Sequence, residues 1–227
     1  LSHLRNKKVN KLGAFKNQNF YLGSSFKNSE ILNELKKFNK KLNFFKSKNI
    51  FKDTSLELQK GNIIGWFQGS AEFGPRALGN RSIICKPFPK KMKDHLNKNV
   101  KFREEFRPFA PAIMDEYRKL YFQLNQRSDH MLIASKVKIN MKNKIEATVH
   151  VDDTCRVQTV TKKSNKRFYN LLKEFNSITN IPVLLNTSFN VKGQPIVNNP
   201  SDAINCFLKY KIDLLAIGDY LVSKKSK

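Results

Sequence analysis

Short apolar runs bounded by Gly, Pro or Asn alternate along this chain with stretches whose apolar residues recur every three or four positions. The first kind suits buried strands, the second amphipathic helices. A chain that keeps switching between the two buries both by laying helices on a sheet. Helical spacing is clearest at Ile31, Leu32, Leu35 and Phe38 within residues 28–45, behind Asn28 or Ser29 as N-cap. It recurs at Phe168, Leu171, Leu172 and Phe175 within 165–176, and at Ala203, Ile204, Phe207 and Leu208 within 200–210. Shorter helices are expected over 54–60, closed by Gly61, and over 90–99. Strands are expected over 62–67, 82–86, 156–161, 181–185, 214–217 and 220–223, with 108–114 extended between prolines. Residues 130–138 and 144–151 read as a strand pair turning at 140–143. The predicted class is α/β (α+β) with a mixed sheet.

The 227 residues suffice for one domain with a real core. The chain opens on Leu1 rather than Met, so a preceding part is expected. Residues 1–20 read as a basic linker or the tail of a preceding domain, and 21–227 as the folded domain. No apolar run approaches the roughly 18 residues that cross a bilayer, and no secretory leader is visible. Cys85, Cys155 and Cys206 lack CxxC or CxxH neighbours, which predicts reduced, buried thiols, a cytoplasmic location and no metal cluster.

The net charge of +25 invites a nucleic-acid reading. The excess is mostly Lys, spread along the sequence in company with Asn and Ile, as a drift in gene composition would leave it. Arg is scarce, yet Arg76, Arg81, Arg103 and Arg107 lie close together. Where Lys supplies the bulk of the charge, clustered Arg suggests a need for its planar, bidentate fork. Ion pairs with Glu72, Glu104 or Glu105 would account for the cluster equally well.

Polar constellations stand out in order. Gly69-Ser-Ala-Glu-Phe-Gly-Pro-Arg-Ala-Leu-Gly-Asn-Arg-Ser82 makes a tight turn that could present backbone N–H groups and Arg76 to an anion, or simply pair Arg76 or Arg81 with Glu72. Lys101-Phe-Arg-Glu-Glu-Phe-Arg107, if extended, points Lys101, Arg103 and Arg107 one way and the anchoring Phe102 and Phe106 the other. In His150-Val-Asp-Asp-Thr-Cys-Arg-Val-Gln-Thr159, His150, Asp152 and Thr154 share a face, as do Arg156 and Gln158. Leu185-Asn-Thr-Ser-Phe-Asn190 runs a strand into amides and hydroxyls that suit a phosphate or a small amide.

Taken together, EFGPRALGNRS, VKFREEFRPFAP, HVDDTCRVQTV and LLNTSFNVKGQPIV resemble the C-terminal domain of the NodU/CmcH/TobZ-type O-carbamoyltransferases, over about Tyr21 to Ser223. The resemblance implies a YrdC-like twisted mixed β-sheet flanked by helices, with the K-x-R and S-x-N signature at Lys101-Phe-Arg103 and Ser188-Phe-Asn190. It implies that carbamoyl phosphate and ATP, with Mg2+, bind and form carbamoyl adenylate. A separate N-terminal metal-binding domain of the same polypeptide, holding iron, would pass the carbamoyl group to an acceptor hydroxyl. Lys101 and Arg156 are then the expected catalytic residues, and Arg76, Arg103, Arg107, His150, Ser188 and Asn190 join them in binding, with no metal ligand in this domain. Ser70-Ala71 and Gln194 depart from the family's Arg-Met and Glu at those places. The alternative is a nucleic-acid-binding YrdC-like module without carbamoyl chemistry. Nucleic acid and membrane are not the expected partners.

Overall fold

In a computed structural model, residues 20–225 are described, and the linker expected over 1–20 lies outside them except for Phe20. The strands are β1 (Leu42–Lys46), β2 (Ile64–Phe67), β3 (Arg81–Cys85), β4 (Ala110–Met114), β5 (Ile133–Lys136), β6 (Thr154–Val160), β7 (Val183–Ser188), β8 (Leu214–Ile217) and β9 (Tyr220–Lys224). They form one mixed sheet in the order β1-β9-β8-β2-β3-β7-β4-β6-β5. β2 runs parallel to β8 and β4 parallel to β6; the other neighbours are antiparallel.

The pleat sends successive side chains to opposite faces, and both faces are covered. Phe67, Ile83, Leu185, Leu215 and Ile217 join a core with Ile31 and Leu35 of α1 (Asn28–Lys37) and Ala203, Ile204 and Phe207 of α6 (Pro200–Lys209). Ile64, Trp66, Ile84, Leu184 and Ala216 face the other way, against Leu58 of α2 (Ile50–Lys60) and Phe168, Leu172 and Phe175 of α5 (Lys166–Thr179). A third cluster, with Tyr121 of the short helix α4 (Arg118–Tyr121), Phe122, Val157 and Val183, closes the β5 end of the sheet. The expected twisted mixed sheet flanked by helices is therefore what the chain forms.

Helix ends follow local chemistry. Asn165 Oδ1 accepts the Phe168 N–H at 3.0 Å to cap α5, and Asn199 caps α6 through the Asp202 N–H at 2.9 Å, with Pro200 in the first turn. Gly61 ends α2 in the left-handed region at φ 99°.

Departures from the expected elements are local. The first helix stops at Lys37 rather than continuing to 45, because Leu42–Lys46 gains a ladder with β9 and buries Leu42. Asn28 is helical, and the cap is made instead by Glu30, whose carboxylate accepts the Lys27 N–H at 2.7 Å. The strand expected over 144–151 does not form; tight helical turns cover Ile139–Lys144 and Glu146–Thr148 instead. The Ala147 N–H donates across the fold to Pro87 O at 2.9 Å and Thr148 Oγ1 turns back on Ile145 O at 2.8 Å, so these groups are not spent on a strand ladder, while β5 pairs with β6.

Candidate functional site

The turn between β2 and β3 is built around Glu72. Its Oε1 accepts the N–H groups of Leu78 at 2.7 Å, Asn80 at 2.8 Å and Arg81 at 3.2 Å, so the carboxylate serves the backbone rather than Arg76. Gly79, at φ 102°, packs so closely on Phe168 that a Cβ there would lie 2.2 Å from the ring. Two buried amides hold the turn from the sheet. Gln158 of β6 donates to Leu78 O at 2.8 Å and Asn186 of β7 to Ala77 O at 3.1 Å.

The clustered arginines divide into different roles. Arg81 is almost fully buried, donates to the carbonyls of Gln68, Gly69, Asn80 and Ser24, and lies 3.7 Å over the Phe67 ring. Burial draws its pKa down to about 10, against the opposing charge of Glu72. It is a structural cross-link. Arg76, Arg103, Arg107 and Arg156 instead line one cavity of about 310 Å³, together with His150, Met131, Asn186, Thr187 and Ser188. Among the described residues no Asp or Glu lines it. Among the described residues Arg76 and Arg156 have no carboxylate partner, whereas Arg107 pairs with Glu104 at 3.1 Å. Burial and the nearby charge of Arg156 lower the Arg76 pKa, and burial with Arg107 beside it brings Arg103 to about 10. Several like charges thus converge on a hollow whose lining holds no carboxylate, which gives it a positive potential.

Residues 101–107 are not extended. Lys91–Leu96 forms a short helix, α3, that widens into a π-helical turn over Asn97–Lys101, and Phe102 then takes φ 49°. Buried Asn97 holds the loop beyond this turn, donating to Glu105 O at 3.2 Å and Arg107 O at 3.1 Å and accepting Arg103 Nε at 2.7 Å. The consequence reverses the expected alternation: Phe102 and Phe106 are exposed, while Lys101 is buried. Lys101 Nζ donates to Ser188 O at 2.9 Å, Asn190 O at 2.8 Å and Asn190 Oδ1 at 2.9 Å. Arg103, Arg107 and Ser188 thus stand on the cavity wall, and Lys101 and Asn190 stand behind it, tied to Ser188.

His150 sits in a turn before β6 rather than on an extended run, with Asp153 at φ 64°. Asn186 and Thr187, within the polar run the sequence singles out, line the cavity as well, Gln158 shapes it through its amide, and Met131 lines it without any signal in the sequence. The pairing of Gln158 with Arg156 on one strand face was the available signal.

No helix among the described residues is long and apolar enough to cross a membrane. The same residues contain no group of His, Cys, Asp and Glu suited to a metal ion. Cys85, Cys155 and Cys206 are free and buried.

Residues 55–224 match a family model described as carbamoyltransferase C-terminus. The chain is 40% identical over 195 residues to nodulation protein NolO of Bradyrhizobium diazoefficiens, covering 85% of this chain and 36% of that protein. It is 37% identical over 165 residues to the 3'-hydroxymethylcephem-O-carbamoyltransferase of Streptomyces clavuligerus, covering 73% of this chain and 31% of that enzyme. It thus spans about a third of the length of these relatives. Among solved structures it resembles HypF of T. kodakarensis with a TM-score of 0.51 and 17% identity, over 81% of this chain and 22% of that one, a likeness of fold.

Proposed function

This chain belongs to the carbamoyltransferase C-terminus family, and from that premise we propose that its arginine-lined cavity binds carbamoyl phosphate and ATP and forms carbamoyl adenylate. Carbamoyl phosphate is hydrolysed to carbamate and phosphate. A carbamate oxygen then attacks the α-phosphorus of ATP, the bond to the β-phosphate oxygen breaks, and pyrophosphate leaves. Such transfer is mainly positioning and charge stabilisation.

The observation that carries this reading is the meeting of Arg76, Arg103, Arg107 and Arg156 on one cavity that no carboxylate lines. Each charge-assisted hydrogen bond to a phosphate oxygen contributes about 1.5–3 kcal/mol. Ser188 and His150 add neutral polar groups to the same wall. Lys101 acts from behind that wall, fixing Ser188 and Asn190. Mg2+ would arrive on the nucleotide's phosphates.

The carbamoyl group is then handed to an acceptor hydroxyl by a separate domain, for which exposed apolar residues next in sequence to the cavity lining would offer a contact surface. Phe73, Phe106, Leu132 and Val151 are 73%, 77%, 82% and 101% exposed. Each lies within two residues of a cavity-lining residue. Free, buried thiols are in keeping with a reducing cytoplasm.

The test is exchange of labelled pyrophosphate into ATP by this chain. Exchange that needs carbamoyl phosphate supports adenylate formation. Carbamoyl phosphate binding with no exchange under any condition removes it.

A further inference from the structure

The cavity is rich in donors for phosphate oxygens, yet two buried acceptors at its wall have nothing to accept. Asn186 is 1% exposed and lines the cavity. Its Nδ2 donates to Ala77 O at 3.1 Å and to Gln158 Oε1 at 2.8 Å. Ala77 O can only accept, and Gln158 is itself oriented by donating to Leu78 O at 2.8 Å, so the Asn186 amide cannot be turned round. Its Oδ1 is left buried without a partner. An unmet acceptor of this kind is costly in a folded protein unless something supplies a hydrogen.

His150 reaches the same condition by a different route. Thr154 Oγ1 donates to Asp152 Oδ1 at 2.7 Å, and a carboxylate only accepts, so the hydroxyl hydrogen is committed. The contact of 3.1 Å between His150 Nδ1 and Thr154 Oγ1 must then carry its hydrogen on Nδ1. In the neutral ring this leaves Nε2 as a bare acceptor. Nε2 is buried and without a partner, and His150 lines the cavity. Burial, reinforced by Arg156 and Lys93 and opposed by Asp152, lowers its pKa and favours that neutral form.

We propose that Asn186 Oδ1 and His150 Nε2 read the amino group of a carbamoyl substrate, selecting it over acyl phosphates of the same shape. The inference rests on the carbamoyl reading above. Phosphate and carbonyl oxygens accept hydrogen bonds and suit the arginines. The carbamoyl –NH2 is the part of carbamoyl phosphate that donates, and it has two hydrogens for two acceptors. Acetyl phosphate has a methyl group in that place and would leave both acceptors buried and unmet. Sites that hydrogen-bond a substrate group discriminate strongly against analogues lacking it.

Isothermal titration of the chain with fresh carbamoyl phosphate, acetyl phosphate and inorganic phosphate tests this. Carbamoyl phosphate is expected to bind at least about tenfold more tightly than acetyl phosphate. Asn186→Ala and His150→Phe should each cut that ratio by about fivefold or more while inorganic phosphate affinity stays within about twofold. Should Asn186→Ala fail to fold, His150→Phe carries the test alone, with His150→Gln restoring part of the ratio by placing an amide oxygen near the former Nε2. Equal binding of the two acyl phosphates by the unaltered chain overturns this inference and leaves the carbamoyl reading standing. So does an unchanged ratio in His150→Phe. If neither acyl phosphate binds, both readings fall.

Discussion

The Lys101 ammonium lies 2.9 Å from the Ser188 carbonyl oxygen and 3.3 Å from its hydroxyl, so a residue from the turn after α3 anchors the end of β7. Burial, with the nearby charge of Arg103, brings this amine down to about 7 from an ordinary 10.5. In the unfolded chain it keeps its proton to the higher value. Between those two pH values the unfolded state therefore binds more protons, and stability rises with pH by up to about 1.4 kcal/mol per pH unit. Denaturant titrations from pH 6 to 10 should show this slope in the unaltered chain relative to Lys101→Met. Parallel curves would mean that Lys101 remains fully charged in the fold.

Arg156→Ala should lower carbamoyl-phosphate-dependent exchange on the order of a hundredfold, as loss of one charge-stabilising donor does elsewhere. Its thermal midpoint should not fall, because Arg156 is a like-charged neighbour that depresses Arg76. Arg76→Ala should behave the same way. Full exchange in both variants would remove the cavity from the mechanism.

Arg81→Met should do the opposite. It strips hydrogens from a set of buried carbonyl oxygens and should cost about 3 kcal/mol or more in chemical denaturation. Arg81→Lys should recover only part of this, since an ammonium cannot span acceptors on both Gln68 and Ser24.

Gly79→Ala places a methyl against Phe168 at a backbone angle that side chains avoid. A loss of about 3 kcal/mol is expected, with reduced exchange because Arg76 rides on the same turn. Pairing the substitution with Phe168→Leu should return part of the stability and not all of it, since the backbone strain remains.

What the sequence disclosed depended on how local the cause was. α5 was readable because its cap, its apolar stripe and its end all lie within its own residues. The Gly-rich turn is readable because Gly69, Gly74, Pro75 and Gly79 all fall within one short stretch of chain. The run from Lys101 to Arg107 invites an extended reading because its alternating charge and Phe imitate a strand, yet it is a turn and loop. The residue that decides its shape is Asn97, which lies before the run and gives no signal in spacing. Arg81 looked like its neighbours, and only the carbonyls of distant Gln68 and Ser24 show that its charge is spent inside the fold. The polar runs that hold Asn186 and Gln158 stand out in the sequence, but the way these amides grip the turn does not, since their partners Ala77 and Leu78 are far away in the chain.

The carboxylate that gathers the amides of Leu78, Asn80 and Arg81 fastens the anion-receiving turn before any ligand arrives. Conformational freedom that binding would otherwise have to remove has already been surrendered during folding. On the proposed function, an acidic side chain that touches no phosphate governs how tightly phosphate is held, and Glu72 is a place where affinity would be tuned without altering a contact to the ligand.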